Sequence, residues 1–213
     1  MPLKEDIKFM KLAKNLALRG KGRTNPNPVV GCVIVRDSKI VAMGYHKKAG
    51  QPHAEIEAIR KANDKRINLK DAVMYISLEP CCHFGRTPPC VSSIINSGIK
   101  RVVIGMRDPN PINNGRGIRV LKKAGICVDV GILEEELKNI NLPFIKYITK
   151  GFPYVTIKVA SSHDGKIATK TGSSKWITGE GSRAFANRLR GYVDAVLVGT
   201  NTVIKDNPSL TCR

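Results

Sequence analysis

The first fifty residues combine helical and strand-like spacing of apolar positions. Within residues 6–19, apolar side chains recur every three to four positions, and Gly20 follows, which predicts an amphipathic helix that ends there. The β-branched runs 29–35 and 40–44 flank Asp37-Ser38-Lys39 and predict a hairpin. The chain is therefore expected to begin with one helix and two antiparallel strands.

Helical and strand-like segments then alternate. The pattern predicts helices over 52–62, 90–96, 117–124 and 134–147, and strands over 72–77, 102–105 and 126–130. Strands joined through helices pair in parallel, whereas the hairpin is antiparallel. We therefore predict an α/β layered domain in which helices cover a mixed sheet.

A second unit is expected after the turn sequence at 150–153, beginning with a strand over 154–161. The predicted domains are residues 1–148 and 151–213. Only 63 residues follow residue 150, whereas domains commonly contain about 100–150 residues. We therefore expect the second domain to be incomplete.

Charge and composition narrow the expected partners. The chain carries 36 Lys and Arg against 17 Asp and Glu, a formal charge of +19, which attracts polyanions or phosphorylated metabolites. The charge is diffuse, and one Trp and five Phe provide no evident platform for stacking bases. Residues 1–20 resemble no secretion signal, and no apolar run is long enough to span a bilayer. We expect a cytoplasmic protein with reduced cysteines that acts on a small phosphorylated substrate rather than on nucleic acid or a membrane.

The candidate chemistry lies in His53-Ala54-Glu55, Pro80-Cys81 and Cys90. One imidazole and two thiolates can bind Zn²⁺ and leave a fourth position for water, while the spare carboxylate acts as acid and base. Eight residues separate the two cysteines, whereas the short deaminase motif has two.

Helix geometry restricts where His53 and Glu55 can meet. Residues two apart on a helix point about 200° away from each other, so these side chains converge only at a helix start. Pro88 and Pro89 before Cys90 favour a second helix start. The sequence therefore predicts that two helix N-termini form one site.

Four segments together resemble a known family: 24–28 (TNPNP), 53–55 (HAE), 78–90 (LEPCCHFGRTPPC) and 107–111 (RDPNP). They are similar to the bifunctional riboflavin-biosynthesis deaminase/reductases. The resemblance implies a cytidine-deaminase-like three-layer domain with a mixed sheet, followed by the N-terminal part of a dihydrofolate-reductase-like domain. It also implies hydrolytic deamination of a diaminopyrimidinone ribosylamino 5′-phosphate.

By this resemblance His53, Cys81 and Cys90 bind zinc, and Glu55 transfers protons. Cys82 stands where serine is expected and competes with Cys81 as a ligand, but the Pro-Cys pattern favours Cys81. The resemblance assigns substrate contacts to Asn27, His46, His83, Arg86, Asp108 and Asn110. Arg86 suits the phosphate, while the Asn-Pro and Asp-Pro sequences are equally typical of ordinary turns.

The second segment resembles the family's NADPH-dependent reductase, although His163 stands where leucine is expected. The resemblance assigns NADPH contacts to Ala160, Trp176, Thr202 and Asp206. It assigns substrate contacts to Ser174, Arg190, Leu210 and Arg213. Because about half of such a domain is present, we expect no NADPH oxidation by this chain. An incomplete sheet could also drive copies of the chain to associate, so the sequence allows a homo-oligomer.

Two other functions compete with this interpretation. A nucleic-acid base deaminase acting on tRNA would share the zinc site, but should show the short cysteine spacing and salt-dependent RNA affinity. A zinc-stabilised binding module would hold metal without turnover.

Overall fold

The computed structural model describes residues 4–84 and 88–212, and the chain divides into two compact units, Met1–Tyr154 and Val155–Arg213. The helices of unit 1 are α1 (Lys4–Leu18), α2 (Ala54–Asp64), α3 (Cys90–Asn96), α4 (Arg116–Lys123), α5 (Glu134–Ile140) and α6 (Leu142–Lys150). Its strands are β1 (Gly31–Arg36), β2 (Lys39–Tyr45), β3 (Val73–Leu78), β4 (Arg101–Met106) and β5 (Cys127–Val130). The alternation expected from the sequence is present.

The five strands form one mixed sheet in the order β2-β1-β3-β4-β5. β1 pairs antiparallel with both β2 and β3, whereas β3, β4 and β5 are parallel. Parallel neighbours need a crossover, which α3 and α4 provide. The carboxyl ends of β3 and β4, at Leu78 and Met106, therefore lie at the same edge of the sheet.

Helices cover both faces of this sheet. At Gly31 in β1, a Cβ atom would lie 2.0 Å from the carbonyl oxygen of Ala13 in α1. At Gly44 in β2, a Cβ atom would lie 2.3 Å from the carbonyl oxygen of Ala54 in α2. Cys32 pairs with Gly44 in the sheet, so neighbouring residues of β1 face opposite helices. The two helices can approach so closely only because these strand positions lack side chains.

The apolar core lies between the sheet and these two helical layers. Its largest fully buried side chains include Phe9, Met10, Ile34, Met74, Ile76, Ile94, Ile104, Met106, Leu121 and Leu137. At the amino ends of β3 and β4, Tyr75 donates a hydrogen bond to Asp6 (2.8 Å), and Arg101 donates two more to the same carboxylate. This polar network closes the edge of the sheet opposite Leu78 and Met106.

The single helix expected over 134–147 is two helices. α5 ends at Ile140, Asn141 has a φ of −111° and a ψ of 12°, and α6 starts at Leu142. Pro143 lacks the N–H that a continuous helix would need, and its ring crowds the preceding turn. The prediction was wrong because it ran the helical pattern through this proline.

Unit 2 contains α7 (Glu180–Arg190) and α8 (Thr200–Asp206). The strand expected over 154–161 is not formed; within 155–212, the described part of this unit, no segment pairs as a strand. An extended segment becomes a strand only when a neighbour accepts its hydrogen bonds, and β-branched composition alone does not supply one. None of the helices in the described part of the chain is long and apolar enough to cross a membrane.

Candidate functional site

Three potential metal ligands meet where two helices begin. His53 is the N-cap of α2, Cys90 is the first residue of α3, and Cys81 lies in the loop after β3. Their ligand atoms all lie within 4.8 Å of one another. Cys82 is not part of this group; its N–H donates a hydrogen bond to the side chain of Asn113 instead.

The distances within this group fit a tetrahedral zinc site. His53 Nδ1 lies 3.2 Å from Cys90 Sγ and 3.6 Å from Cys81 Sγ. With Zn–N near 2.0 Å and Zn–S near 2.3 Å, the N···S edge of a coordination tetrahedron is about 3.6 Å. Three such ligands leave one tetrahedral position for water or substrate, so the donor set suits a catalytic zinc ion.

The local electrostatics favour a thiolate at Cys81. The Cys90 thiol donates toward Cys81, His53 lies beside it, and the main-chain N–H of Cys90 approaches its sulfur at 3.3 Å. These contacts lower the pKa of Cys81. The hydrogen bond between His53 Nδ1 and Cys81 Sγ (3.6 Å) raises the pKa of His53, as expected for an imidazole beside an anion. An anionic sulfur is the form that binds metal.

Glu55 lies in the first turn of α2 beside the three ligands, and only 3% of it is exposed. Burial raises the pKa of its carboxyl to about 7. A carboxyl group with that pKa can both accept and release a proton near neutral pH, as a general acid–base group requires.

These side chains line a cavity of about 370 Å³, a size typical of small-molecule sites. Its lining comes entirely from unit 1: Pro26, Asn27, Pro28, Val30, His46, Ala49, Gly50, Gln51, His53, Glu55, Leu78, Glu79, Cys81, His83, Asp108, Asn110 and Phe144. None of these described lining residues is Lys or Arg, so the interior offers hydrogen-bonding groups rather than fixed positive charge.

His46 and Asn27 form a fixed polar pair in this cavity. His46 is buried, and its Nδ1 lies 3.1 Å from the carbonyl oxygen of Pro52, which can only accept. Nδ1 therefore carries the proton, and Nε2 accepts a hydrogen bond from the Asn27 side-chain amide (3.1 Å). Burial lowers the pKa of His46, which favours this neutral form.

Asp108 and Asn110 take part in a turn and also line the cavity. The Asn110 N–H donates to Asp108 Oδ1 (2.9 Å), and the Ile112 N–H donates to Asn110 Oδ1 (3.1 Å). Desolvation raises the pKa of Asp108. Asp108 and Asn110 therefore stabilise the turn and are also positioned to contact a molecule bound in the cavity.

His83 offers a polar atom without an internal partner. Its Nδ1 is buried and has no hydrogen bond within the described part of the chain. A buried nitrogen of this kind is costly to leave unpaired, so it points to a bound group. Arg86, expected at the phosphate, lies outside the described residues.

The residues expected at a reductase site lie in unit 2 on separate segments. Thr202 and Asp206 lie one turn apart on α8, and Arg190 is the last residue of α7, where it donates to Asn187 (2.8 Å). Trp176 is 72% exposed, and the guanidinium of Arg183 lies 4.6 Å from its ring centre. Ser174 is exposed, whereas Ala160 and Leu210 are half-buried. Arg213 is outside the described residues, so these assignments stay predictions.

Sequence reasoning missed several residues at the site. Glu79, Gln51 and Phe144 line the cavity, and the buried Asn113 and Asn141 hydrogen-bond the main chain at Pro80 and Val29. Glu79 directly precedes the Pro80-Cys81 pair, which was the one available signal. The others are brought to the site by tertiary packing.

Two family models match the chain. The cytidine and deoxycytidylate deaminase zinc-binding region matches residues 3–106, and the RibD C-terminal domain matches residues 153–213. The first contains all three potential zinc ligands and Glu55. The second contains both helices of unit 2.

Several known proteins are similar to the chain. The riboflavin biosynthesis protein RibD of Aquifex aeolicus is 56% identical over 98% of this chain and 58% of its own length. A crystal structure of a diaminohydroxyphosphoribosylaminopyrimidine deaminase/5-amino-6-(5-phosphoribosylamino)uracil reductase from Thermotoga maritima is 51% identical. The match covers 98% of this chain and 59% of that one, with a TM-score of 0.94. The Rib2 deaminase of Aspergillus oryzae is 26% identical over 64% of this chain and 90% of its own, with a TM-score of 0.54. The chain thus spans somewhat more than half the length of the bacterial proteins.

Proposed function

We propose that this chain, which belongs to the RibD family of riboflavin biosynthesis proteins, deaminates a phosphorylated pyrimidine. The substrate is 2,5-diamino-6-ribosylamino-4(3H)-pyrimidinone 5′-phosphate. Water replaces its 2-amino group, giving 5-amino-6-(5-phosphoribosylamino)uracil and ammonia. The observation that carries this proposal is the convergence of His53, Cys81 and Cys90 within 4.8 Å beside a buried Glu55.

Zinc suits the three ligands, and when bound it supplies a Lewis acid that makes water nucleophilic near neutral pH. Glu55 accepts a proton from the attacking water at its carboxylate. It delivers that proton to the pyrimidine ring nitrogen, then accepts the proton of the hydroxyl group now on the carbon and passes it to the departing amine, so that the carbonyl forms and ammonia leaves as a neutral molecule. The raised pKa of Glu55 suits both halves of this transfer.

The polar lining orients the pyrimidine. The tautomer of His46 fixes the Asn27 amide, whose carbonyl oxygen is then available to a ring N–H or an amino group. The buried Nδ1 of His83 pairs with a polar atom of the substrate, and Asp108 and Asn110 contact it from the opposite loop. Binding these groups excludes bulk water from the reacting carbon.

The 5′-phosphate needs a cation that the described cavity lining lacks. We assign this role to Arg86, in the long segment between Cys81 and Cys90. A guanidinium can bind phosphate through two parallel hydrogen bonds. A cytoplasmic location is part of the same proposal because thiolate ligands require a reducing compartment.

Unit 2 is proposed to supply part of the family's NADPH-dependent reductase site. Ala160, Trp176, Thr202 and Asp206 would contact NADPH, while Ser174, Arg190, Leu210 and Arg213 would contact substrate. Trp176 already pairs with Arg183, and an exposed aromatic with a neighbouring cation is suited to a planar, negatively charged cofactor.

Ammonia release tests the deaminase proposal. The purified chain with zinc is assayed on the phosphorylated diaminopyrimidinone, its dephosphorylated analogue, cytidine and tRNA, with Cys81→Ala as the control for contaminating deaminases. Ammonia release is expected to be fastest from the phosphorylated compound and absent from cytidine and tRNA. For the dephosphorylated analogue, kcat/KM should be lower by about 1.5–3 kcal/mol, because a charge-assisted contact is lost. Editing of tRNA would favour a nucleic-acid base deaminase, and zinc without turnover on any substrate would favour a binding module.

A further inference from the structure

A buried carboxylate lies directly beside the loop that carries Cys81. Glu79 is 3% exposed, and both of its oxygens accept hydrogen bonds from main-chain N–H groups. Oε2 accepts from Asp108 (3.1 Å) and Gly115 (2.9 Å), and Oε1 accepts from Ile118 (3.2 Å). One side chain thus holds both the start of the 108–115 loop and the first turn of α4.

A buried asparagine returns the contact from the opposite side. Asn113 is fully buried; its Nδ2 donates to the Pro80 carbonyl (3.2 Å) and to Asp108 Oδ2 (3.1 Å). Its Oδ1 accepts from the Cys82 N–H (3.0 Å). Asn113 therefore binds the main chain on both sides of Cys81 while it holds the carboxylate of Asp108.

The two loops are packed too closely to move independently. At Gly117 in α4, a Cβ atom would lie 2.2 Å from the Pro80 carbonyl oxygen and 3.3 Å from Glu79 Oε1. Together with the six hydrogen bonds above, this contact joins residues 79–82 to residues 108–118 as one rigid body. One loop carries a proposed metal ligand, and the other carries two proposed substrate contacts, Asp108 and Asn110.

We propose that Glu79 and Asn113 are positioning residues, which set the distance between the substrate contacts Asp108 and Asn110 and the metal ligand Cys81. This inference rests on the deaminase function proposed above. Neither residue is required to touch the reacting atoms. Their effect passes through Asp108, whose Oδ2 is fixed by Asn113 and whose N–H is fixed by Glu79.

The chemistry of the two side chains makes conservative variants informative. Glutamine at 79 would replace one accepting oxygen with an NH₂ group that faces a main-chain N–H. Aspartate at 113 keeps an acceptor for Cys82 but loses both donated hydrogen bonds and places a second carboxylate against Asp108. Both changes preserve side-chain volume, so they alter hydrogen bonding rather than packing.

The test compares Glu79→Gln, Asn113→Asp and Asn113→Ala with the unmodified chain, measuring KM, kcat, zinc content and thermal unfolding. We expect KM for the phosphorylated diaminopyrimidinone to rise by about tenfold or more, while zinc stays bound. Tyr75→Phe is the matched control: it removes a buried hydrogen bond at the opposite edge of the sheet and should lower stability without changing KM.

A double-mutant cycle separates positioning from general stability. If Asn113 acts through Asp108, then Asn113→Ala and Asp108→Asn should raise KM by less together than the product of their separate effects. Independent effects, an unchanged KM in all three single variants, or failure of all three to fold would overturn the proposal. Failure of the deaminase function itself is distinguishable, because the unmodified chain would then release no ammonia.

Discussion

The side chain of Asn141 pairs with the main chain of Val29 as a neighbouring strand would. The Val29 N–H donates to Asn141 Oδ1 (2.9 Å), and Asn141 Nδ2 donates back to the Val29 carbonyl (3.2 Å) and to Leu137 (3.4 Å). This contact attaches the junction between α5 and α6 to the segment that carries Asn27. Phe144, one turn further along α6, lines the cavity.

Asn141→Ala should destabilise unit 1, because it leaves the buried N–H and carbonyl of Val29 without partners. The expected loss is about 1–3 kcal/mol in the free energy of unfolding, measured by urea denaturation. Asn114→Ala, at an exposed position, is the control and should change stability little. Equal stability of the two variants would contradict the role given to Asn141.

Zinc content should depend on three side chains. The purified chain is expected to hold one zinc ion, and alanine at His53, Cys81 or Cys90 should each remove it. Cys82→Ala should retain it, since Cys82 lies outside the group of ligand atoms. Elemental analysis measures this directly; loss of metal in Cys82→Ala but not in Cys81→Ala would reverse the assignment.

Glu55→Gln should keep zinc and lose activity. The amide preserves the shape of the side chain but cannot transfer a proton, so kcat should fall by about 10²–10⁴. Ammonia release from metal-loaded protein gives the rate. Near-normal turnover in this variant would exclude Glu55 as the acid–base group.

The stability contributed by Glu57 should depend on pH. Lys47 (2.8 Å) and Lys61 (3.6 Å) surround its carboxylate, and the hydrogen bond from Lys47 lowers its pKa. A lowered pKa in the folded state adds stability above the unfolded pKa of about 4.3, and this is lost as pH falls through the folded value.

The unmodified chain should therefore unfold at a higher temperature than Glu57→Gln at neutral pH, and the difference should shrink as the pH falls below the unfolded pKa of about 4.3 and through the lower folded value. Asp64→Asn, an exposed position at the end of the same helix, serves as the control. A difference that persists at low pH would assign the effect to packing rather than charge.

Unit 2 should be cut by proteases before unit 1. Ile157 is 84% exposed and Leu197 is 97% exposed, so little apolar burial opposes local opening. Limited proteolysis with mass spectrometry should place the first cuts after residue 154.

The same preparation is expected not to oxidise NADPH when given the deaminated product, and stoichiometric NADPH consumption would contradict this.

Local sequence signals predicted the parts of the fold that depend on neighbouring residues. The alternation of helices and strands, the hairpin, and the placement of His53 and Cys90 at helix starts all follow from spacing and from Pro88-Pro89. Pro143 was also a local signal, and overlooking it produced a helix that was too long.

The remaining features depend on tertiary contacts that no local pattern contains. Asn113 and Asn141 are ordinary polar residues in sequence, and only folding brings them against Pro80 and Val29. The strand predicted after residue 154 was wrong for a related reason. The composition of this segment favours a strand, but the described part of unit 2 provides no partner strand for it.

The three hydrogen bonds of Glu79 all come from main-chain atoms, and this has a consequence for redesign. A loop held by its backbone keeps its path when its outward side chains are exchanged. Because the Asn110 side chain itself accepts a hydrogen bond in this turn, screening should leave it in place and vary exposed positions such as Ile112. The same arrangement would let natural sequences diverge at these positions while the catalytic frame is inherited unchanged.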